Sequence, residues 1–98
     1  MARRPVEFHP EVIAEARTAF EWYRQRSEGA AAAFLTELDH AVEHIAETPG
    51  RWPFYLQGTR RFLLRKFPFT IIYREVGETI QLVAVAHGRR KPGYWKDR

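Results

Sequence analysis

The chain has no cysteine, which excludes disulfide scaffolds, cysteine-based zinc sites and thiol nucleophiles together. A small domain without disulfides fits a reducing compartment. Long apolar runs are also lacking. Runs such as Leu82 to Ala86 and Ala30 to Leu35 fall far short of the ~18–20 residues that span a bilayer, so no transmembrane helix is expected. Met1-Ala2-Arg3-Arg4-Pro5 carries two positive charges with no apolar stretch behind it, so no secretory leader is expected there. Gly77 and Gly88 stand alone as turn residues, so there is no glycine-rich phosphate loop, and no G-x-S-x-G nucleophile setting occurs. Repeats, linkers and low-complexity blocks are absent apart from Ala30 to Ala33, whose alanines read as helix formers.

What is present suffices for one domain over residues 1–98, since chains allot roughly 100–200 residues to each. A content of 45% hydrophobic and 29% charged residues places it among globular chains rather than disordered ones. Charge is unevenly divided. Met1 to Gly58 holds six basic and nine acidic residues, whereas Thr59 to Arg98 holds ten basic and three acidic. A basic C-terminal half points to a polyanionic partner, nucleic acid or an acidic protein segment; the plainer alternative is a solvated surface. Thirteen of the 16 basic residues are arginine, which favours planar, bidentate contacts with phosphate or carboxylate.

Hydrophobic periodicity predicts a strand, two helices and three strands. Val6-Glu7-Phe8 alternates as a short strand. Pro10 suits a first helical position, and Val12, Ile13, Ala16, Phe20 and Tyr23 then recur at helical spacing to about Arg26. After the Ser27-Glu28-Gly29 break, Ala31, Phe34, Leu35, Leu38, Val42 and Ile45 form a second stripe, ended by Pro49-Gly50. The short link predicts an antiparallel helical hairpin. Thr59 to Lys66, Phe69 to Val76 and Thr79 to His87 read as strands joined by two-residue turns at Phe67-Pro68 and Gly77-Glu78. The expected fold is therefore α+β and two-layered: an N-terminal strand, then a helical hairpin packed on one face of an antiparallel sheet completed by a three-strand meander.

Taken literally, both turns set Phe62 opposite Tyr73, Leu64 and Ala84 opposite Ile71, and Tyr73 opposite Leu82. One face then carries Phe62, Leu64, Phe69, Ile71, Tyr73, Ile80, Leu82, Ala84 and Ala86, a core for the helices. The other carries Arg61, Leu63, Arg65, Thr70, Ile72, Arg74, Gln81, Val83, Val85 and His87. Apolar area bordered by arginine marks a binding surface, unless loops or the tail cover it.

Few constellations could carry chemistry. His40-Ala41-Val42-Glu43-His44 has the H-x-x-E-H spacing of inverted zincins, but catalytic zinc needs a third ligand and a cleft, so a charged helix face is the expectation and no metal is assigned. His87-Gly88-Arg89-Arg90-Lys91-Pro92-Gly93-Tyr94-Trp95 is the other cluster. On the parity above, His87 shares a side with Arg61 and Arg65, where it could act as acid or base in RNA cleavage with arginines stabilising the phosphorane. Tyr94 and Trp95 could stack on a base. Alternatively His87 only ends a strand and Trp95 folds back on the core.

The order of elements resembles the RelE/ParE superfamily of bacterial toxins from type II toxin–antitoxin modules. Arg60-Arg61-Phe62-Leu63-Leu64-Arg65-Lys66-Phe67-Pro68-Phe69-Thr70-Ile71-Ile72-Tyr73 is similar to its arginine-led strand, phenylalanine–proline turn and tyrosine-ended strand. Val83-Ala84-Val85-Ala86-His87-Gly88-Arg89-Arg90 with Tyr94-Trp95 resembles the ending of ParE-like members, and Val6-Glu7-Phe8-His9-Pro10 the usual opening. The likeness runs from Val6 to Trp95.

It implies a cytoplasmic bacterial toxin of a plasmid-stabilisation type, without cofactor or membrane, in a hetero-oligomer with a small acidic antitoxin. The antitoxin's C-terminal segment would lie across the toxin. RelE-like relatives cut messenger RNA on the ribosome; ParE-like ones poison DNA gyrase. Carried over, Arg61, Arg65 and His87 are the candidate catalytic set if the chain is a nuclease. Arg61, Leu63, Arg65, Ile72, Arg74, Val83, Val85, Arg89, Arg90, Tyr94 and Trp95 are the candidates for target or antitoxin binding. Lys66 falls on the opposite face and no carboxylate joins the meander's open side, which favours the ParE branch. An endoribonuclease and a non-toxic nucleic-acid-binding module are the alternatives.

Overall fold

The computed structural model describes residues 3–98. Its elements are β1 (Val6–Phe8), α1 (Pro10–Arg24), α2 (Glu28–Glu47), β2 (Arg60–Leu63), β3 (Phe69–Val76) and β4 (Thr79–His87). Each helix start is capped by its own sequence. His9 Nδ1 accepts the Glu11 N–H at 3.1 Å with Pro10 opening α1, and Ser27 Oγ accepts the Ala30 N–H at 3.2 Å. Such caps satisfy donors that a first turn otherwise leaves unpaired.

The sheet order is β1-β4-β3-β2. The meander pairs antiparallel, as expected, while β1 pairs parallel with β4, Val6 opposite Ile80, which makes the sheet mixed. The helical crossover between β1 and the meander is what permits a parallel neighbour. Both helices cover one face. Val12 and Ala19 of α1 and Phe34, Ala41, Val42 and Ile45 of α2 form one core with Ile71, Tyr73, Ile80, Leu82 and Val85. Tyr23, Phe34 and Phe67 meet at ring-centroid distances of 4.9 and 5.4 Å, and Phe69 lies 5.4 Å from Phe34. Edge contacts of this kind add to area burial. The buried Tyr73 hydroxyl donates to the Pro49 carbonyl, joining mid-sheet to the end of α2. Among the described residues no helix is long and apolar enough to cross a membrane.

The first hairpin departs from expectation. β2 ends at Leu63, not Lys66, and Leu64 to Pro68 form a longer loop in place of a two-residue turn. Phe62 pairs with Ile71 and Arg60 with Tyr73, a register two residues from that expected. Phe67-Pro68 cannot supply a primed turn. Instead the loop closes through Leu64 N–H to the Phe69 carbonyl, and the Glu37 carboxylate of α2 accepts the N–H groups of Arg65 and Lys66. Because the slip is even, Phe62 keeps its face. The second hairpin turns at Gly77-Glu78 as expected, with Val76 opposite Thr79 and Gly77 at φ 61°. Ile13 and Leu35, expected on the buried stripes, are 49% and 40% exposed, since each lies at the margin of its helix's contact face.

Phe34 is fully buried within the aromatic group. Phe34→Ala is expected to cost about 3–5 kcal/mol, and Ile13→Ala less than about 0.5 kcal/mol. Urea unfolding followed by circular dichroism will show the first midpoint fall with little change in slope and the second stay near the parent value.

Candidate functional site

The geometry that matters is set by one irregularity. Between Ile72 and Tyr73 the β3–β4 register shifts, so Tyr73 faces Leu82 but Ile72 faces Ala84, leaving Val83 as an extra residue. Such a bulge reverses the facing of every later residue on its strand. Ile71 therefore pairs with Val85, not Ala84. Val85 joins the helix-side core, whereas Ala84 packs on the opposite side with Ile72 and Val83. Ala86 pairs with Thr70 on that same side, not in the core. His87 comes level with Phe69, edge-on at a centroid distance of 5.1 Å.

Of the three candidate catalytic residues, Arg61 and His87 line one small cavity and Arg65 does not join them. Arg61, opposite Ile72, lies on the side away from the helices with its guanidinium 4.6 Å from the Tyr55 ring centre. Arg65 sits beyond β2 in the loop anchored by Glu37, and His87 stands at the rim between the two sides. The His87 Nδ1 accepts the Arg89 N–H at 3.0 Å. Register puts Leu63, Ile72 and Arg74 on Arg61's side, as expected, but that side is not open. The C-terminal tail folds over it. Trp95 is 2% exposed against Ile72, Val83 and Ala84, with Tyr55 and Tyr94 beside it. Of the expected binding residues, Ile72, Val83, Val85 and Trp95 are buried, whereas Arg61, Leu63, Arg65, Arg89 and Arg90 are exposed.

The tail is held by Glu15, an α1 residue that periodicity alone did not single out. Its carboxylate accepts the Val85 N–H at 2.9 Å, the Tyr94 hydroxyl, and both Arg98 Nη groups at 3.0 Å. Arg98 also donates to the Val83 carbonyl at 3.1 Å, and the Arg74 guanidinium donates to the Arg98 carbonyl at 3.0 Å. β1 pairs only as far as Leu82, so Glu15 and Arg98 satisfy backbone groups that β4 presents beyond it. Burial first, and then the Glu15 hydrogen bond and charge, hold the Tyr94 phenol above the ordinary tyrosine range. A phenol so held is no ready proton acceptor.

On the helix side, α1 and the end of the sheet enclose a groove of about 580 Å³. Ala14, Ala19, Phe69 and Val85 line it, with the half-exposed Trp22 at its wall. His87, Arg89 and Arg90 border it with donors and positive charge on one side, while Glu11 and Glu15 line the α1 side, Glu15 paired with Arg98. An amphipathic acidic segment matches an apolar trough with a cationic border. Trp22 was not singled out in the sequence either. The signal was there: Glu11, Glu15, Thr18 and Trp22 recur at helical spacing on the side of α1 away from its apolar stripe.

The H-x-x-E-H residues do not converge. Glu43 pairs with Arg3 at 2.9 Å, and the His44 ring lies parallel to Phe62 at 6.5 Å. Among the described residues no three His, Asp or Glu side chains are grouped to hold a metal.

Comparison with known proteins bears on the family and the fold. A family model described as the ParE toxin of the type II toxin–antitoxin system parDE matches residues 6–92. A solved structure from P. aeruginosa, of a chromosomal ParDE toxin–antitoxin system, is similar in fold with a TM-score of 0.75 at 18% sequence identity, over 87% of this chain and 96% of that one. No curated protein sequence matches.

Glu15 and the buried phenols give two expectations. Glu15→Ala should lower stability by about 3 kcal/mol, because Arg98 and the tail lose a buried charged partner; faster tryptic cleavage after Lys96 will report the loosened tail. Tyr73 is also held above its ordinary range, by burial. A phenol with a raised folded-state pKa contributes stability that is whole below its unfolded pKa of about 10 and is lost as pH rises through the folded value. The urea midpoint should therefore fall above about pH 10, with tyrosinate absorbance from Tyr73 and Tyr94 appearing only as the chain unfolds.

Proposed function

The chain belongs to the ParE toxin family of type II toxin–antitoxin systems, and we propose that it arrests bacterial growth by binding DNA gyrase and that a cognate antitoxin neutralises it. The observation that supports binding over catalysis is that Arg65 lies apart in the loop anchored by Glu37, while His87, although it lines a small cavity with Arg61, has its Nδ1 occupied by the Arg89 N–H. General acid–base cleavage needs the proton acceptor within hydrogen-bond reach of the attacking group and cations around the developing charge. His87 is instead packed edge-on to Phe69, and the Tyr94 hydroxyl is committed to Glu15.

The antitoxin is a small acidic protein that lays an amphipathic segment into the groove between α1 and β4, forming a toxin–antitoxin hetero-oligomer. Support comes from the groove's apolar lining, its Arg89 and Arg90 border and Trp22 at its wall. A large aromatic beside a trough is the type of residue that dominates binding energy. Acidic residues of the segment would meet charges that have no carboxylate partner of their own.

Controlled expression of the chain should stop growth and induce the DNA-damage response, and the neighbouring gene should relieve both. Purified protein should inhibit gyrase supercoiling, with His87→Ala as potent as the parent. Trp22→Asp should weaken antitoxin binding by at least about tenfold, as loss of a central aromatic anchor does, in a calorimetric titration. Codon-phased messenger RNA cuts abolished by His87→Ala would replace this reading with the nuclease.

A further inference from the structure

A second cavity, of about 170 Å³, opens where the tail leaves the sheet. The bulge creates it: with facing reversed after Val83, the small Ala86 lies beside Thr70 on this side, where a strand without the extra residue would put His87 or Val85. Thr70, Ile72, Ala86 and, at the rim, His87 line the strand side, and Arg61, Arg90 and Lys91 converge from β2 and the tail.

The charge in this cavity is unopposed. No Asp or Glu lines it. Among the described residues, Arg61, Arg90 and Lys91 form no ion pair. Both guanidinium groups are set against aromatic rings, Arg61 at 4.6 Å from Tyr55 and Arg90 at 3.8 Å from Tyr94. Stacking fixes the planes of these groups and leaves their N–H edges to a ligand. Three cations around one cavity repel one another until an anion enters. The space is smaller than the roughly 300–1,000 Å³ that a whole small molecule occupies, so it fits one charged group of a larger partner. Three cations and no carboxylate line it, whereas the larger α1–β4 groove has Ala14, Ala19, Phe69 and Val85 along it, so charge sets what this cavity takes.

We propose that this cavity holds a backbone phosphate of a nucleic-acid strand, bound and not cut. Two arginine edges, a lysine and the Thr70 hydroxyl match the non-bridging oxygens of a phosphodiester, and the repeating charge of a strand brings further phosphates to Arg89 alongside. No carboxylate lines the cavity, and the His87 that does is packed edge-on to Phe69 with its Nδ1 occupied by the Arg89 N–H. The assignment does not depend on gyrase being the target, because it concerns the chain alone with nucleic acid.

The test is fluorescence anisotropy of a short labelled single-stranded DNA over a series of salt concentrations. Arg61→Ala and Lys91→Ala should each weaken binding about tenfold and reduce the salt slope by about 0.7. Arg17→Ala, which removes one charge from the exposed surface of α1, should stay within about twofold of the parent. The assignment is overturned if the two pocket variants bind like the parent, or if Arg17→Ala weakens binding as much as they do. Inorganic phosphate binding as tightly as the strand would make this a free-phosphate site, and polyglutamate displacing the DNA at lower charge concentration would make it a protein site. Either outcome rejects the strand. Cleavage of an RNA strand of the same sequence, abolished by His87→Ala, would reject the claim that the strand is only bound.

Discussion

One extra residue in β4 decides what each side of this molecule can do. Up to Leu82 the strand keeps simple alternation with β3; after Val83 it alternates in the opposite sense. The change sends Val85 inward to the helices and puts Ala84 and Ala86 under the tail. A sheet with strict alternation would have left Val83, Val85 and His87 in line with Arg61. The bulge breaks that line, and the small alanines it exposes leave room for Trp95 to pack. The buried second layer and the basic cavity next to it both follow from that single insertion.

Glu15 makes the arrangement hold. A carboxylate that is largely buried is costly unless its oxygens are filled, and here they accept from a backbone amide, a phenol and a guanidinium. The same contacts close the part of β4 that β1 does not reach. An uncovered strand edge invites pairing with other chains, so the tail protects the edge as well as the apolar face. Arg98, almost the last residue of the described chain to be expected in a structural role, is the tail's point of attachment.

Much of the fold was legible because long periodic segments dictate their own class. The two helical stripes, the Gly77-Glu78 turn and the apolar side of β3 follow from spacing and turn chemistry. What was not legible depended on partners remote in sequence. Nothing around Val83 marks a bulge, since the Val-Ala alternation there fits either facing; the choice is made by packing against Ile72 and Trp95 on one side and the helices on the other. The first turn could be doubted from Pro68 but its replacement depended on Glu37, far away on α2. For the same reason the candidate site was half read. Its arginines were visible as composition, while Glu15 and Trp22 gained meaning only when the tail and β4 came against α1.

The distribution of charge then separates structural arginines from those left for partners. In the C-terminal half, Arg60 pairs with Glu75, Arg74 bonds Gln81 and the Arg98 carbonyl, and Arg98 pairs with Glu15. These three are spent within the fold. Among the described residues Arg61, Arg65, Lys66, Arg89, Arg90 and Lys91 have no ion-pair partner. Two of them, Arg61 and Arg90, are nonetheless fixed in place by aromatic rings. A charge kept only for solubility has no need of such ordering, since a mobile side chain solvates as well and retains its rotamer entropy. Pre-ordered cations without counter-charges reduce the entropy lost when an anion binds. Arg90 borders both the apolar groove and the basic cavity, so an acidic segment seated in the one changes the charge available to the other. That shared arginine couples the apolar groove to the basic cavity electrostatically.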